Sequence, residues 1–160
     1  MLESSTDFFV ATAGASAALA GLVIVALSVS VDRVIAIPGM SSRAAAAIGL
    51  LVAATVIALA GLIDQPDAWF GVETIVIGLG ALWFAVNSMI RVLGARAGSS
   101  VPSALLRTGI AVIPALLFTI AGVLVLIQGS GAAVILGLGA ILAIIVAVID
   151  TWVVLVEIKR

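Results

Sequence analysis

A chain of 160 residues that is 64% hydrophobic and 9% charged lies outside the composition of soluble domains, which run near about 45–50% apolar and about 25% charged. Its seven Lys+Arg and eight Asp+Glu nearly cancel, so no excess charge draws it to nucleic acid or to an acidic soluble partner. It has no Cys and no His, which excludes disulfides, zinc sites of the usual type, a thiol nucleophile and a histidine base. The partner this composition implies is the lipid bilayer, with no metal and no cofactor.

About twenty apolar residues cross a hydrocarbon core of about 30 Å as a helix. The uncharged run Phe8–Val31 has twenty-four residues and is followed by Asp32, which predicts a first span over 8–31. Ala44–Ile63, bounded by Arg43 and Asp64 with Pro66 just beyond, predicts a second over 44–63. Thr74–Ile90, extended back through Gly71 and Val72 and ended by a snorkelling Arg91, predicts a third over 72–90. Thr108–Ile149 contains forty-two uncharged residues; as one helix it would be about 63 Å long, about twice the core thickness. The run must therefore fold back. Gln128-Gly129-Ser130-Gly131 supplies the turn chemistry, which predicts spans over 108–127 and 132–157. The expected fold is an all-α integral membrane protein, a bundle of five transmembrane helices forming one domain over 1–160. The acidic start, Glu3 and Asp7 with no Lys or Arg, argues against a cleaved signal peptide.

Five alternating spans place Arg33, Arg43, Arg91, Arg96, Arg107, Lys159 and Arg160 all on one side of the membrane. The positive-inside rule makes that side the cytoplasm, with the N-terminus outside, the C-terminus inside and the protein multi-pass in a plasma (inner) membrane. Glu3, Asp7, Asp64, Asp67 and Glu73 then fall outside, leaving Asp32, Asp150 and Glu157 at the inner face.

Asp150 would sit about 27 Å along the fifth helix from Ala132, at the inner edge of the core. Trp152, Val153, Val154 and Leu155 surround it with apolar surface, and an unpaired carboxylate there is costly. Candidate partners at matching depth are Arg91, Arg33 and Arg107. Arg91 is the favoured one, with Asn87 one turn away on the same face and Asp32 completing the layer. This layer reads either as an ion or proton path or as interhelical glue.

Small residues predict where helices approach each other. The first span carries Ala13, Ala17 and Gly21 at intervals of four and Gly14, Gly21 and Ser28 at intervals of seven, a pattern that permits close packing in the bundle interior or at a subunit interface. Pro114, inside the fourth span, predicts a kink near Ile110. Segments 75–82 and 134–141 share a pattern at an offset of fifty-nine residues, as a degenerate internal repeat would. Phe8, Phe9, Trp69, Phe70 and Trp152 read as interface anchors.

The opening Phe8-Phe-Val-Ala-Thr-Ala-Gly14-Ala-Ser-Ala-Ala-Leu-Ala-Gly21-Leu with Asp32-Arg33, and the closing Asp150-Thr-Trp-Val-Val-Leu-Val-Glu157-Ile, resemble a family of small uncharacterised multi-span bacterial membrane proteins, common in actinobacteria and sometimes named modulators of a membrane protease. The resemblance implies the class, a small multi-span membrane protein, and carries no catalytic motif. The expected function is a non-enzymatic inner-membrane accessory or modulator subunit, or a self-associating scaffold. It would form a homo-oligomer or join a larger membrane complex. The alternative is a homo-oligomeric ion channel or small transporter with a charged cytoplasmic mouth.

Overall fold

Hydrocarbon offers a backbone no water to bond, so each crossing segment must satisfy its own amides and carbonyls, and a helix does so locally. The computed structural model describes residues 6–37, 39–95 and 109–158, and every element among them is helical. They are α1 (Thr6–Ser28), α2 (Val31–Ala36), α3 (Met40–Ala60), α4 (Asp67–Ala95), α5 (Val112–Leu126) and α6 (Ala132–Ile158). Four of these, α1, α3, α4 and α6, are long and apolar enough to cross a membrane. α5 has 15 residues, about 22 Å of helix. The bundle's outer surface is apolar as well, with Leu22, Val25, Val76 and Val134 all more than 60% exposed, as expected where the surroundings are acyl chains.

The helix ends are made by local chemistry. α1 stops at Ser28, whose hydroxyl donates back to the Ile24 carbonyl at 2.7 Å, and the chain turns at Val29–Ser30 into α2, which carries Asp32 and Arg33. The first span is thus one helix and a short second one, where a single helix to Val31 was expected. α3 begins one turn earlier than its uncharged run. Gly39, with φ 83°, takes a left-handed conformation that suits glycine and starts the helix at Met40, which places Arg43 inside it. Beyond α3, the Gln65 amide donates to the Ala60 carbonyl at 3.1 Å and to the Glu73 carboxylate at 2.9 Å, capping one helix end and tying it to the next helix. α5 closes with the Gln128 amide on the Val125 carbonyl and the Gly129 amide on the Leu124 carbonyl. This is the paired bonding of a Schellman turn, with Gln128 in the left-handed region at φ 51°. The expected fold-back is therefore at Gln128–Gly131.

Pro114 falls in the first turn of α5, where a missing N–H has no intrahelical acceptor to lose. It sits at a helix start, where Ile110 and Ala111 form a turn between a helical Gly109 and α5. Residue 108, the expected start of that span, lies outside the described residues.

Residue contacts give the order and sense of the helices. Phe9 lies over Gly61 and meets Phe70 edge-on at 6.1 Å, while Ser16 and Thr55 hydroxyls lie 2.8 Å apart, so α1 and α3 are antiparallel. Gly71 meets Leu126 and Gly78 meets Thr119, so α4 and α5 are antiparallel too, as are α5 and α6 through Phe118 on Gly139. α3 is the most enclosed of the spanning helices, with 61% of its apolar window buried against 33–39% for α1, α4 and α6. Its Ala44, Ala46, Ala47, Ala53, Ala54 and Ala58 are all buried.

For α1 the expectation was close packing either in the bundle interior or at a subunit interface. Of its small residues Ala13 is buried, whereas Gly14, Ala17 and Gly21 are exposed, and a Cβ on Gly14 or Gly21 would meet nothing within 4 Å. The tightest glycine contacts are between α4 and α5: a Cβ on Gly122 would come within 2.8 Å of the Gly71 carbonyl oxygen, and one on Gly78 within 2.8 Å of the Thr119 amide nitrogen. The proposed repeat does not correspond in packing. Gly78 is pressed against α5 but its counterpart Gly137 faces Phe8, and Gly80 is exposed where its counterpart Gly139 is buried.

Candidate functional site

Charge inside this bundle is concentrated at the end formed by the start of α3 and the close of α6. Asp150 lies on the α6 face that also buries Ala143, Ala147 and Val154, residues spaced by three, four and seven as one side of a helix requires. α6 packs against α3, and the side chain it meets there is Arg43. Arg43 Nη2 donates to Asp150 Oδ1 at 2.7 Å, with the two side chains 6% and 9% exposed. It is an ion pair held almost wholly out of water. Beside it is a cavity of about 170 Å³ walled by Ile110, Val146, Ile149 and Val153. The neighbouring Thr151 hydroxyl turns away to the Ala147 carbonyl at 2.7 Å.

The partner of Asp150 is thus Arg43, and the expected Arg91 is elsewhere. Arg91 sits on α4, which packs on α3 and α5. Successive residues turn 100° about a helix, so Ser41 and Ala45, two residues either side of Arg43, point almost opposite to it. Both line, with Ser42, the cleft that holds Asn87 and Arg91. Asn87 does not join the buried pair, since its amide donates to the Trp83 carbonyl at 2.8 Å. Asp32 and Arg33 are exposed on α2, around a shallow depression shared with Val29 and Ser30, and Arg107 lies outside the described residues. The single charge layer expected from depth alone is therefore divided among α2, the α3–α6 contact and the α3–α4 cleft.

Arg43 escaped the sequence reading because it delimits an uncharged run and so counts as a boundary. The signal that could have found it is Gly39, one turn before it, as a helix-starting residue ahead of Met40-Ser41-Ser42. Chemically the pair is neutral at its charged contact, as a structural joint between α3 and α6 would be, although Arg43 Nε is buried with no hydrogen-bond acceptor among the described residues. A second polar contact, part-buried, lies at mid-bundle, where the Ser16 and Thr55 hydroxyls are 2.8 Å apart across α1 and α3 and one donates to the other, while the Thr12 and Leu51 carbonyls at 2.6 and 2.8 Å offer each an alternative acceptor within its own helix. Comparison with protein-family models, with curated proteins and with solved structures finds no match to this chain.

Proposed function

We propose that this chain is a non-enzymatic, multi-pass protein of a bacterial inner membrane that acts by packing against other membrane helices, its own copies first, as a scaffold or accessory subunit. The observation that carries this reading is the outer face of α1. Ala11, Gly14, Ala17, Ala18 and Gly21 lie within about 60° of one line along the helix and all are exposed. Glycine within a helix costs about 0.5–1 kcal/mol relative to alanine, and neither Gly14 nor Gly21 has a neighbour in the fold that requires it. A small-residue stripe of this kind lets a second helix approach closely in lipid, where helix association depends on packing rather than on hydrophobic drive.

Native mass spectrometry after extraction in a mild detergent tests it. The expected spectrum shows a multiple of the chain mass, or the chain with a foreign subunit, and G14L/G21L returns the folded monomer. A wild-type monomer overturns the reading. A ring of three or more copies whose ion flux changes in D150N would favour the homo-oligomeric channel instead.

The proposal includes five crossings, α1, α3, α4, α5 and α6, with the N-terminus outside and the C-terminus in the cytoplasm. Its support is the segregation of charge: Arg33, Arg43 and Arg91 belong to the bundle end that holds the start of α3, and Asp64, Asp67 and Glu73 to the other, as the positive-inside rule requires.

A further inference from the structure

We propose that the cleft between the start of α3 and the last turns of α4 binds a phosphate group, carried either by an anionic lipid or by free phosphate. The cleft encloses about 340 Å³ and its polar lining comes from Ser41 and Ser42 on α3 and from Asn87, Ser88 and Arg91 on α4. Every one of these side chains can donate a hydrogen bond, and no carboxylate lines the cleft.

Ser88 is the informative residue. It is 6% exposed, yet its hydroxyl has no hydrogen-bond partner among the described residues. Three other buried hydroxyls turn back to the carbonyl four residues before them, Ser16 to Thr12, Thr74 to Phe70 and Thr151 to Ala147, whereas Ser88, like Thr12, does not. The Ser88 hydroxyl lines the cleft, where it can donate to a ligand oxygen. Arg91 points the same way from the rim. Its guanidinium is exposed and meets no carboxylate among the described residues. The Asn87 amide gives one hydrogen to the Trp83 carbonyl and keeps a second. Ser41 and Ser42 occupy the first turn of the 21-residue α3, where backbone amides lack intrahelical acceptors and the helix dipole favours an anion.

Guanidinium, hydroxyl, amide and helix terminus converge on one space, and a tetrahedral anion with several acceptor oxygens is the chemistry they match. The depth is also suitable. Arg91 lies about 36 Å along the axis from Asp67 at 1.5 Å per residue, beyond a hydrocarbon core of about 30 Å and therefore at the level of headgroups and water. Trp83, packed edge-on against Phe84 at 5.3 Å, forms the apolar wall of the cleft and reports on its occupancy.

The site is independent of self-association. The test uses the full chain in neutral detergent as W69F/W152F, which leaves Trp83 as the one tryptophan of three. Inorganic phosphate, at constant ionic strength, and a short-chain phosphatidic acid are titrated separately while Trp83 emission is followed. A saturable change is expected, weakened about ten-fold or more by R91Q, as loss of a charge-assisted hydrogen bond implies, and by a smaller factor by S88A. Saturation by inorganic phosphate alone assigns the site to the free ion, and saturation only by phosphatidic acid assigns it to a lipid headgroup. No saturable response to either ligand at millimolar concentration overturns the proposal. So does an unchanged response in R91Q and S88A proteins that melt like the parent.

Discussion

The Arg43–Asp150 pair, buried on both sides and joined at 2.7 Å, has an energetic signature that distinguishes it from a surface bridge. Removing one member leaves the other charge without compensation in an apolar interior, which costs on the order of 3–5 kcal/mol, whereas replacing both with apolar side chains of similar volume is often neutral. R43M and D150L are each expected to lower the unfolding midpoint in detergent sharply. R43M/D150L should recover most of the loss; a double variant no better than the worse single one would mean that the pair does not act as a unit. That Asp150 needs a cation was legible from the valines, tryptophan and leucine that follow it. Which cation was not, because several arginines share its depth and depth is all that an unfolded string of spans provides. The choice depends on which helix α6 touches, a long-range fact.

Helices are marked in this chain by turn residues and uncharged length, and their observed limits follow those marks to about a turn, apart from the break between α1 and α2, the charged start of α3, and α4, which extends five residues beyond its expected span at each end. What the helices present to one another is less visible. α4 and α5 meet through Gly71, Gly78 and Gly122 with backbone in contact, while Gly80, two residues from Gly78, faces open space. Placing a side chain at the contact must separate the helices, so G78L is expected to cost about 1–3 kcal/mol or more. G80L should change stability by less than about 0.5 kcal/mol, as surface substitutions do. Parallel unfolding in detergent compares them, and equal losses would contradict the assigned helix faces. The sequence contains glycine stripes on α1 as well as on α4. Spacing alone cannot tell the stripe that closes the fold from the one left on its outside.

The arrangement of the whole bundle makes a prediction about sidedness that the absence of cysteine renders easy to test. Single cysteines at Asp67 and Ser130 should react with a membrane-impermeant maleimide on intact cells. One at Ser41 should react only after permeabilisation. The reverse pattern would invert the proposed orientation, and labelling of Asp67 and Ser130 from opposite sides would remove α5 as a crossing. α5 is the critical element, since its 15 described residues fall short of a full span while its neighbours exceed one.

Composition, uncharged length and turn chemistry by themselves determined that the chain is helical, roughly where its long helices lie, that it folds back at Gln128–Gly131 and that Asp150 requires a partner. All of these are local properties: a helix satisfies its backbone within a few residues, and a buried carboxylate is costly whatever surrounds it. Only the tertiary structure decided that α3 is the centre, that Arg43 is the partner, that Gly71, Gly78 and Gly122 form the close contact, and that Ser88 and Arg91 share a cleft with the start of α3. In water, the contrast between polar and apolar faces records which side of a helix points inward. In lipid both sides are apolar, that record is missing, and the inward face is chosen by the fit of side chains from helices far apart in the chain.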